Sequence, residues 1–497
     1  MITFRSAILA LAVGFMLTGC MVGPNFRQPD APTTSGYTES PLPERTVASP
    51  GTGGDAQRFA TGQDICAQWW TLFNSEPLDR LVRDSLAQNP TLAAAQATLR
   101  QARENLVAER GALLFPQVNG NLSANREKIS GASIGQPGSG TETFTLYNAS
   151  VSVSYALDAF GGNRRELEGL QALVDYQSFQ FEGARLSLSA NVVTTAIREA
   201  QLRAQIKATQ EILAAEQKQV ETIEKQFQLG GAARLTVTTQ RSQVEQTRAL
   251  LPPLERELAK TRHQLAVLSG RLPSEAMLPE FNLDAMALPQ ELPVSLPSSL
   301  ARQRPDIQAA EALLHQASAQ IGVATANEYP KINLTASLGD QSLQLHNLFA
   351  GPVVWSIGAG LLQPLFHGGE LQARRRAAVA AYDLAEAQYR QTVLLAFQNV
   401  ADALRALEAD ARALKAQSDA TAAASETLDL TQKQYQLGGT NIIALLVAQQ
   451  QFQQQRLNLV IAQSTRYADS AALFQALGGG WWNRDPQAAA DADSKTN

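Results

Sequence analysis

Between residues 393 and 414, apolar side chains fall at Val393, Phe397, Val400, Leu404, Leu407, Ala411 and Leu414. This 4-3-4-3-4-3 spacing is a heptad seam and predicts a helix packed lengthwise against other helices. Stepping back 207 residues gives Leu186, Ala190, Val193, Ile197, Ala200, Ala204 and Lys207, six of them apolar. The seam is therefore written twice. The helices that carry it are predicted over Asn163 to Leu229 and Glu370 to Leu437, 67 and 68 residues, each ~100 Å long if continuous.

The punctuation around these helices repeats as well. Gln226-Phe227-Gln228-Leu229-Gly230-Gly231 returns as Gln434-Tyr435-Gln436-Leu437-Gly438-Gly439, and Phe160-Gly161-Gly162 as His367-Gly368-Gly369. Pro90 and Pro116 return as Pro305 and Pro330. Each half reads helix, strand, loop, strand, long helix, helix. First helices are predicted from about Thr91 to Leu114 and from about Asp306 to Glu328, opened by one Pro and stopped before the next. The Gly-Gly pairs supply the left-handed conformation that closes a helix. They mark the tips of helical hairpins, whose return helices are expected at about Leu235 to Leu268 and Asn441 to Leu477. The returning helices are short, so the first helices are expected to complete the neighbours of each rod.

Between the helices the period changes to two. Val118, Gly120, Leu122 and Ala124 alternate with Asn119, Asn121 and Ser123; Val151, Val153 and Tyr155 alternate with Ser152 and Ser154. Ile332, Leu334 and Ala336 alternate with Asn333, Thr335 and Ser337, and a partner strand covers about Val353 to Leu362. Hairpin loops are expected at Lys128 to Thr143 and Gly339 to Pro352. Such alternation suits a membrane barrel with one face to lipid and one to a lumen. Any half-buried strand alternates too. Four strands cannot close a barrel, and open edges are not tolerated in lipid. Either the strands form a small soluble sheet, or several chains share one barrel.

The N-terminus adds a compartment. Arg5 precedes an apolar run from Ala7 to Leu17, too short to span a bilayer as a helix and typical of a secretory signal. It ends in Leu17-Thr18-Gly19-Cys20, which resembles the bacterial lipobox, where the Cys becomes the lipidated first residue. Met21, not Asp, follows, which resembles sorting to the outer membrane. If Cys20 carries lipid, Cys66 has no partner in the chain, which leaves no disulfide framework. The net charge of −5 over 497 residues offers no footprint for nucleic acid. The four histidines lack metal-ligand spacing, no HExxH or nucleophile elbow occurs, and Gly51 to Gly54 lacks the flanks of a phosphate loop. No enzyme is indicated. With five Met, two of them in the Pro-rich link, no soft-metal path is indicated either.

Cys20-Met21-Val22-Gly23-Pro24-Asn25-Phe26, Trp69-Trp70-Thr71-Leu72-Phe73, Arg304-Pro305-Asp306-Ile307, Gln436-Leu437-Gly438-Gly439 and Ala476-Leu477-Gly478-Gly479-Gly480-Trp481, in this order on a duplicated chain, resemble the TolC-type outer-membrane efflux proteins, in the lipoprotein branch that includes OprM and NodT. The resemblance runs from Cys20 to about Trp482. It implies a mainly α fold with a β-barrel contribution: a homotrimer with a shared twelve-stranded barrel and a long-helix coiled-coil tube in the periplasm. The implied role is the outer-membrane channel of a tripartite efflux pump. Its partners would be a periplasmic adaptor protein and an inner-membrane transporter of the resistance-nodulation-division type. No cofactor or metal is implied beyond covalent lipid on Cys20.

In residue terms the resemblance places adaptor-docking hairpin tips at Gly230, Gly231, Gly438 and Gly439. Tyr435 matches a tyrosine that helps hold the closed end. Ile443 and Val447 match positions that constrict the periplasmic mouth. Relatives often place an Asp where Val447 stands, but here no acid occurs between Asp429 and Asp469, so the constriction would be apolar and of the kind that gates by dewetting. Ordinary helix–helix core contacts are the other reading of Ile443 and Val447. A duct for type I protein secretion and a structural coiled-coil lipoprotein remain the rival functions. The expected organisation is a signal peptide (1–19), a lipidated N-terminal segment and start of the body (20–90), a first repeat (91–270), a Pro-rich link (271–299), a second repeat (300–480) and a disordered C-terminal tail (481–497).

Overall fold

The computed structural model describes residues 21–34, 36–130, 135 and 140–484. The signal segment, Cys20 and most of the tail lie outside the described residues. Contact density divides the chain into two compact units. Unit 1 takes Met1–Pro29, Thr98–Ser178 and Ala309–Tyr389; unit 2 takes Asp30–Ala97, Phe179–Gln308 and Arg390–Asn497. Each repeat thus supplies residues to both units.

Among the described residues the helices are α1 (Glu76–Gln88), α2 (Pro90–Leu114), α3 (Gly162–Gln228), α4 (Arg234–Arg248), α5 (Leu251–Leu268), α6 (Pro297–Gln303), α7 (Pro305–Ala326), α8 (Glu370–Gln436) and α9 (Ile442–Ala476). The strands are β1 (Arg58–Thr61), β2 (Gln117–Ser130), β3 (Thr141–Leu157), β4 (Glu291–Val294), β5 (Lys331–Ser342) and β6 (Val353–Leu362). Both long helices, α3 and α8, are uninterrupted over 67 residues. The first helices begin at Pro90 and Pro305 as the prolines predict. The return helix of the first repeat differs from expectation. It breaks into α4 and α5 because Pro252 and Pro253 cannot continue a helix but suit the first turn of a new one. Its counterpart α9 has no Pro and runs unbroken for 35 residues.

Unit 2 holds the apolar core. Ala190, Val193, Ile197 and Ala200 of α3 and Val400, Leu404 and Leu407 of α8 are buried in one cluster, so the duplicated seam is real packing. Trp69 to Phe73 form a short 3-10 turn whose Trp69 and Phe73 pack on Phe474, 5.6 and 6.5 Å between ring centroids. The Pro-rich link is not simply a tether. Its Glu291–Val294 pairs in parallel with Arg58–Thr61, a two-stranded sheet that the prolines concealed.

Helix ends in unit 2 are joined by the same device in both repeats. Asn89, one residue before Pro90, donates through Nδ2 to the Leu268 carbonyl at the end of α5 (2.9 Å). Its Oδ1 accepts from the amides of Thr91 and Leu92 (2.9 and 3.3 Å). One side chain therefore caps two helices. Arg304, one residue before Pro305, donates to the Ala476 carbonyl at the end of α9 (2.7 Å) and pairs with Asp306 (2.6 Å). The first helices do complete the short return helices, end against start. Gly270 and Gly478 both have positive φ, and each helix end is closed by the paired 6→1 and 5→2 hydrogen bonds of a Schellman motif.

Charges are buried among the unit 2 helices. Glu199 is fully buried and accepts from Arg203 (2.8 Å), Arg262 (2.7 Å) and the Phe281 amide (3.3 Å). Asp410 on α8 faces Asp469 on α9. Burial, reinforced by that neighbouring carboxylate and opposed by Arg466, pushes the Asp410 carboxyl up to about 8. An unfolded Asp titrates near ~3.9. Between these values the folded chain holds the extra proton, so stability falls as pH rises through that window. Unfolding midpoints measured from about pH 5 to about pH 9 should decline in the native protein and decline less in Asp410→Asn.

Candidate functional site

The four-stranded sheet of unit 1 is antiparallel in the order β2-β3-β5-β6. Its register decides what each face carries. Val118 pairs with Val153, Val153 with Ala336, and Ala336 with Ile357; the next row is Gly120, Val151, Leu338 and Trp355. Over these two rows one face is apolar across all four strands, and the row beyond them, Leu122, Ala149, Asp340 and Val353, adds a single acid. The other presents Asn119, Asn121, Ser150, Ser152, Ser154, Asn333, Thr335, Ser337 and Ser356, with Ser337 and Ser356 hydrogen-bonded at 2.8 Å. In a soluble sheet the apolar face is covered. Here Leu122, Trp355 and Ile357 are 73, 71 and 79 % exposed. A continuous apolar surface of this kind marks contact with lipid or another chain. The outer edges of β2 and β6 have no partner strand among the described residues. The first hairpin is longer than expected: β2 continues to Ser130 and β3 starts at Thr141, because the alternation fades in β2 and changes phase in β3, where Phe144 and Leu146 fall on the face opposite Val151 and Val153. β5 likewise runs on to Ser342.

The hairpin tips lie in unit 2. Gly230 and Gly438 have φ of 79° and 76°. Gly231 donates to the Gln226 carbonyl and Gly439 to that of Gln434, both at 2.8 Å. The two tips are closed identically, as their sequences anticipate. Leu229 and Leu437 are each 87 % exposed beside the glycines. Tyr435 is half-buried, and burial pushes its hydroxyl pKa up. The Asn441 side chain accepts from the Ala444 amide (2.9 Å) and starts α9. Ile443 and Val447, one turn apart, are both exposed, so this chain's own core does not use them. The core-contact reading within one chain does not describe them.

Cys20 lies outside the described residues, but the segment after it is held tightly in unit 1. Arg165 is 1 % exposed and donates to the carbonyls of Val22 (3.2 Å) and Gly23 (3.4 Å) and to Asn25 Oδ1 (2.7 Å). The Val22 amide donates to the Phe160 carbonyl (3.1 Å). Glu168 accepts from Arg165 (2.7 Å) and sits 2.9 Å from His315 Nε2, while the His315 ring stacks on Phe26 at 4.3 Å. Gly23, at φ 88°, lies so close to Gly322 that a Cβ would come within 2.5 Å of its Cα. Reading the motifs did not single out Arg165. Its equivalent in the second repeat is Gln372.

The profile of the family described as "Outer membrane efflux protein" matches residues 81–271 and 296–479, once across each repeat. The chain belongs to the outer membrane efflux protein family. It is similar to the toluene efflux pump outer membrane protein TtgC of Pseudomonas putida, 31 % identical with 99 % of each chain covered. It is also similar to the pyoverdine export outer membrane protein OpmQ of Pseudomonas aeruginosa, 31 % identical over 83 % of this chain and 87 % of that one. Among solved structures, the outer-membrane channel OprN matches with a TM-score of 0.83 at 28 % identity, covering 93 % of this chain and 100 % of that one. The open state of the MtrE outer membrane channel of Neisseria gonorrhoeae matches at 0.77 and 27 %, covering 93 % and 99 %. The family is one of outer-membrane efflux channels, and its fold is the long-helix and shared-barrel fold expected from the sequence.

If Arg165 is what fixes the segment after Cys20, a spin label at Val22 should be immobile in the native protein. It should become mobile in Arg165→Ala, with helix content unchanged by circular dichroism. A label of unchanged mobility would remove Arg165 from that role.

Proposed function

We propose that three copies of this chain form a passive duct for small molecules through the outer membrane. β6 of one copy pairs with β2 of the next, so that twelve strands close a barrel. The observation that carries this reading is the sheet: one uncovered apolar face, one polar face and two open edges. Closing the ring satisfies the edge N–H and C=O groups, each of which costs several kcal/mol if left unpaired in lipid. The apolar face meets the bilayer and the Asn, Ser and Thr face lines the lumen. No described helix is long and apolar enough to cross a membrane, which is consistent with crossing by strands.

The chain does no chemistry in this reading and needs no cofactor. Energy and selection come from the partners, a periplasmic adaptor and an inner-membrane transporter. The exposed Leu229 and Leu437 beside Gly230, Gly231, Gly438 and Gly439 offer the apolar contact by which the tips meet the adaptor. Lipid on Cys20 anchors each copy, and Arg165 fixes where that anchor emerges. Ile443 and Val447 of three copies ring the periplasmic mouth, with Tyr435 bracing the hairpin behind them. Two of the relatives carry toluene and pyoverdine in their names; small organic molecules are the cargo class this suggests.

Two substitutions on one strand test the barrel. Trp355→Lys on the apolar face should cost about 2–4 kcal/mol per chain at the bilayer midplane and abolish heat-modifiable trimers and conductance in planar bilayers. Ser356→Lys on the opposite face should still insert. Equal tolerance of both would refute the lipid-facing assignment.

The gate has its own test. Val447→Asp should raise the cation selectivity of single channels, since three carboxylates would then ring the mouth. Unchanged selectivity would sink a lumen-facing role for Val447.

A further inference from the structure

The first hairpin of the sheet rises past the apolar rows. Those rows start at Leu157, Ile332 and Leu361, at the helix end, and reach Leu122, Ala149, Asp340 and Val353. One row further stand Ala124, Tyr147 and Ser342, five steps of two residues from the start. With about 6.8 Å per step and a strand tilt of about 40°, five steps climb about 26 Å. The apolar band of an outer-membrane barrel is about 25 Å tall. With Ile332 and Leu361 at its inner edge, Tyr147 stands at its outer edge, where rings with a polar tip settle.

On the same face, the next two rows pair Arg126 with Thr145 and Lys128 with Thr143. The acids of this stretch lie on the opposite face, since Glu127 pairs with Phe144 and Glu142 with Ile129. Charge is thus sorted by face. Arg126 and Lys128 are exposed, and among the described residues neither has an ion pair or side-chain hydrogen bond. The one acid on their face of the sheet, Asp340, is two strands away and two rows below Arg126. Strand spacing and rise put the two about 17 Å apart, beyond the roughly 8 Å screening length of physiological salt. The two cations stand about 5 and 10 Å past the hydrocarbon edge, at the height of lipid headgroups.

We propose that Arg126 and Lys128 bind the phosphate groups of a lipid in the outer leaflet. An Arg fork and a Lys ammonium suit phosphate oxygens. The Thr143 and Thr145 hydroxyls in the same rows can donate beside them. A lipid headgroup is the phosphate that lies at this height and on this face, and the apolar rows below receive its acyl chains. The inference rests on the barrel reading, which puts the hairpin end, away from the helices, outside the cell.

The test adds lipid A carrying two phosphates to the full-length protein in detergent and counts bound lipid by native mass spectrometry. Lipid A freed of both phosphates is the comparison. The phosphorylated lipid should bind about tenfold tighter, and Arg126→Gln with Lys128→Gln in one chain should remove that preference. Glu127→Gln, on the opposite face, should keep it. Equal binding of the two lipids by the native protein would overturn the proposal, as would an unchanged preference in the double variant. Displacement of the lipid by an equal concentration of inorganic phosphate would overturn it too, making the site one for free phosphate. The comparison of lipids on the native protein needs no variant, so it decides even if the double variant fails to fold. Conductance in planar bilayers is read on the same preparations. A native protein that conducts without preferring the phosphorylated lipid loses the site and keeps the duct. One that neither inserts nor conducts loses the duct, and the site with it.

Discussion

A sheet that is apolar on one side, polar on the other and open at both edges is stable in neither water nor lipid by itself. Water leaves the Trp355 and Ile357 face uncovered, and lipid leaves the edges of β2 and β6 without partners. Only closure into a ring removes both problems. Much else in this chain follows from that constraint. A chain that supplies only four barrel strands must associate, and association demands that each copy present the same register and the same edges. The pairing Val118, Val153, Ala336 and Ile357 keeps every strand in phase. A slip of one residue would turn the polar row outward.

Duplication solves the helical part with little new information. Two copies of one seam, Leu186 to Ala204 and Val393 to Leu414, give helices that pack alike. Two copies of one Schellman closure give tips that end alike. The joints Asn89 and Arg304 show how loosely the repeat is held at the level of side chains. One is an amide and the other a guanidinium, yet each reaches the last carbonyls of a helix that ends beside it. What is kept is the need to satisfy buried carbonyls, not the residue that meets it.

Departures from the repeat are where individual roles appear. Arg165 has Gln372 as its counterpart, and only Arg165 has an N-terminal segment to hold. Pro252 and Pro253 have no counterpart in α9, so only the first return helix is broken. Glu199, with two arginines and a backbone amide around it, is a fully satisfied buried charge.

Periodicity in the sequence was enough to determine the long helices, their duplicated seam, the glycine-closed tips and the alternating strands, because each depends on residues close together in the chain. The resemblance to the efflux family pointed to Ile443 and Val447, but only the tertiary structure leaves them exposed outside the chain's own core. The extensions of β2 and β3 were not legible, since Phe144 and Leu146 fall in the opposite phase to Val151 and Val153 and break the alternation. Nor was the pairing of Arg58–Thr61 with Glu291–Val294, which joins residues over two hundred positions apart through a strand that contains Pro293. The grip of Arg165 on Val22, Gly23 and Asn25 and the double cap at Asn89 belong to the tertiary structure alone. Each depends on which groups are brought together from distant segments and removed from water, and no local pattern of hydrophobic and polar residues encodes that.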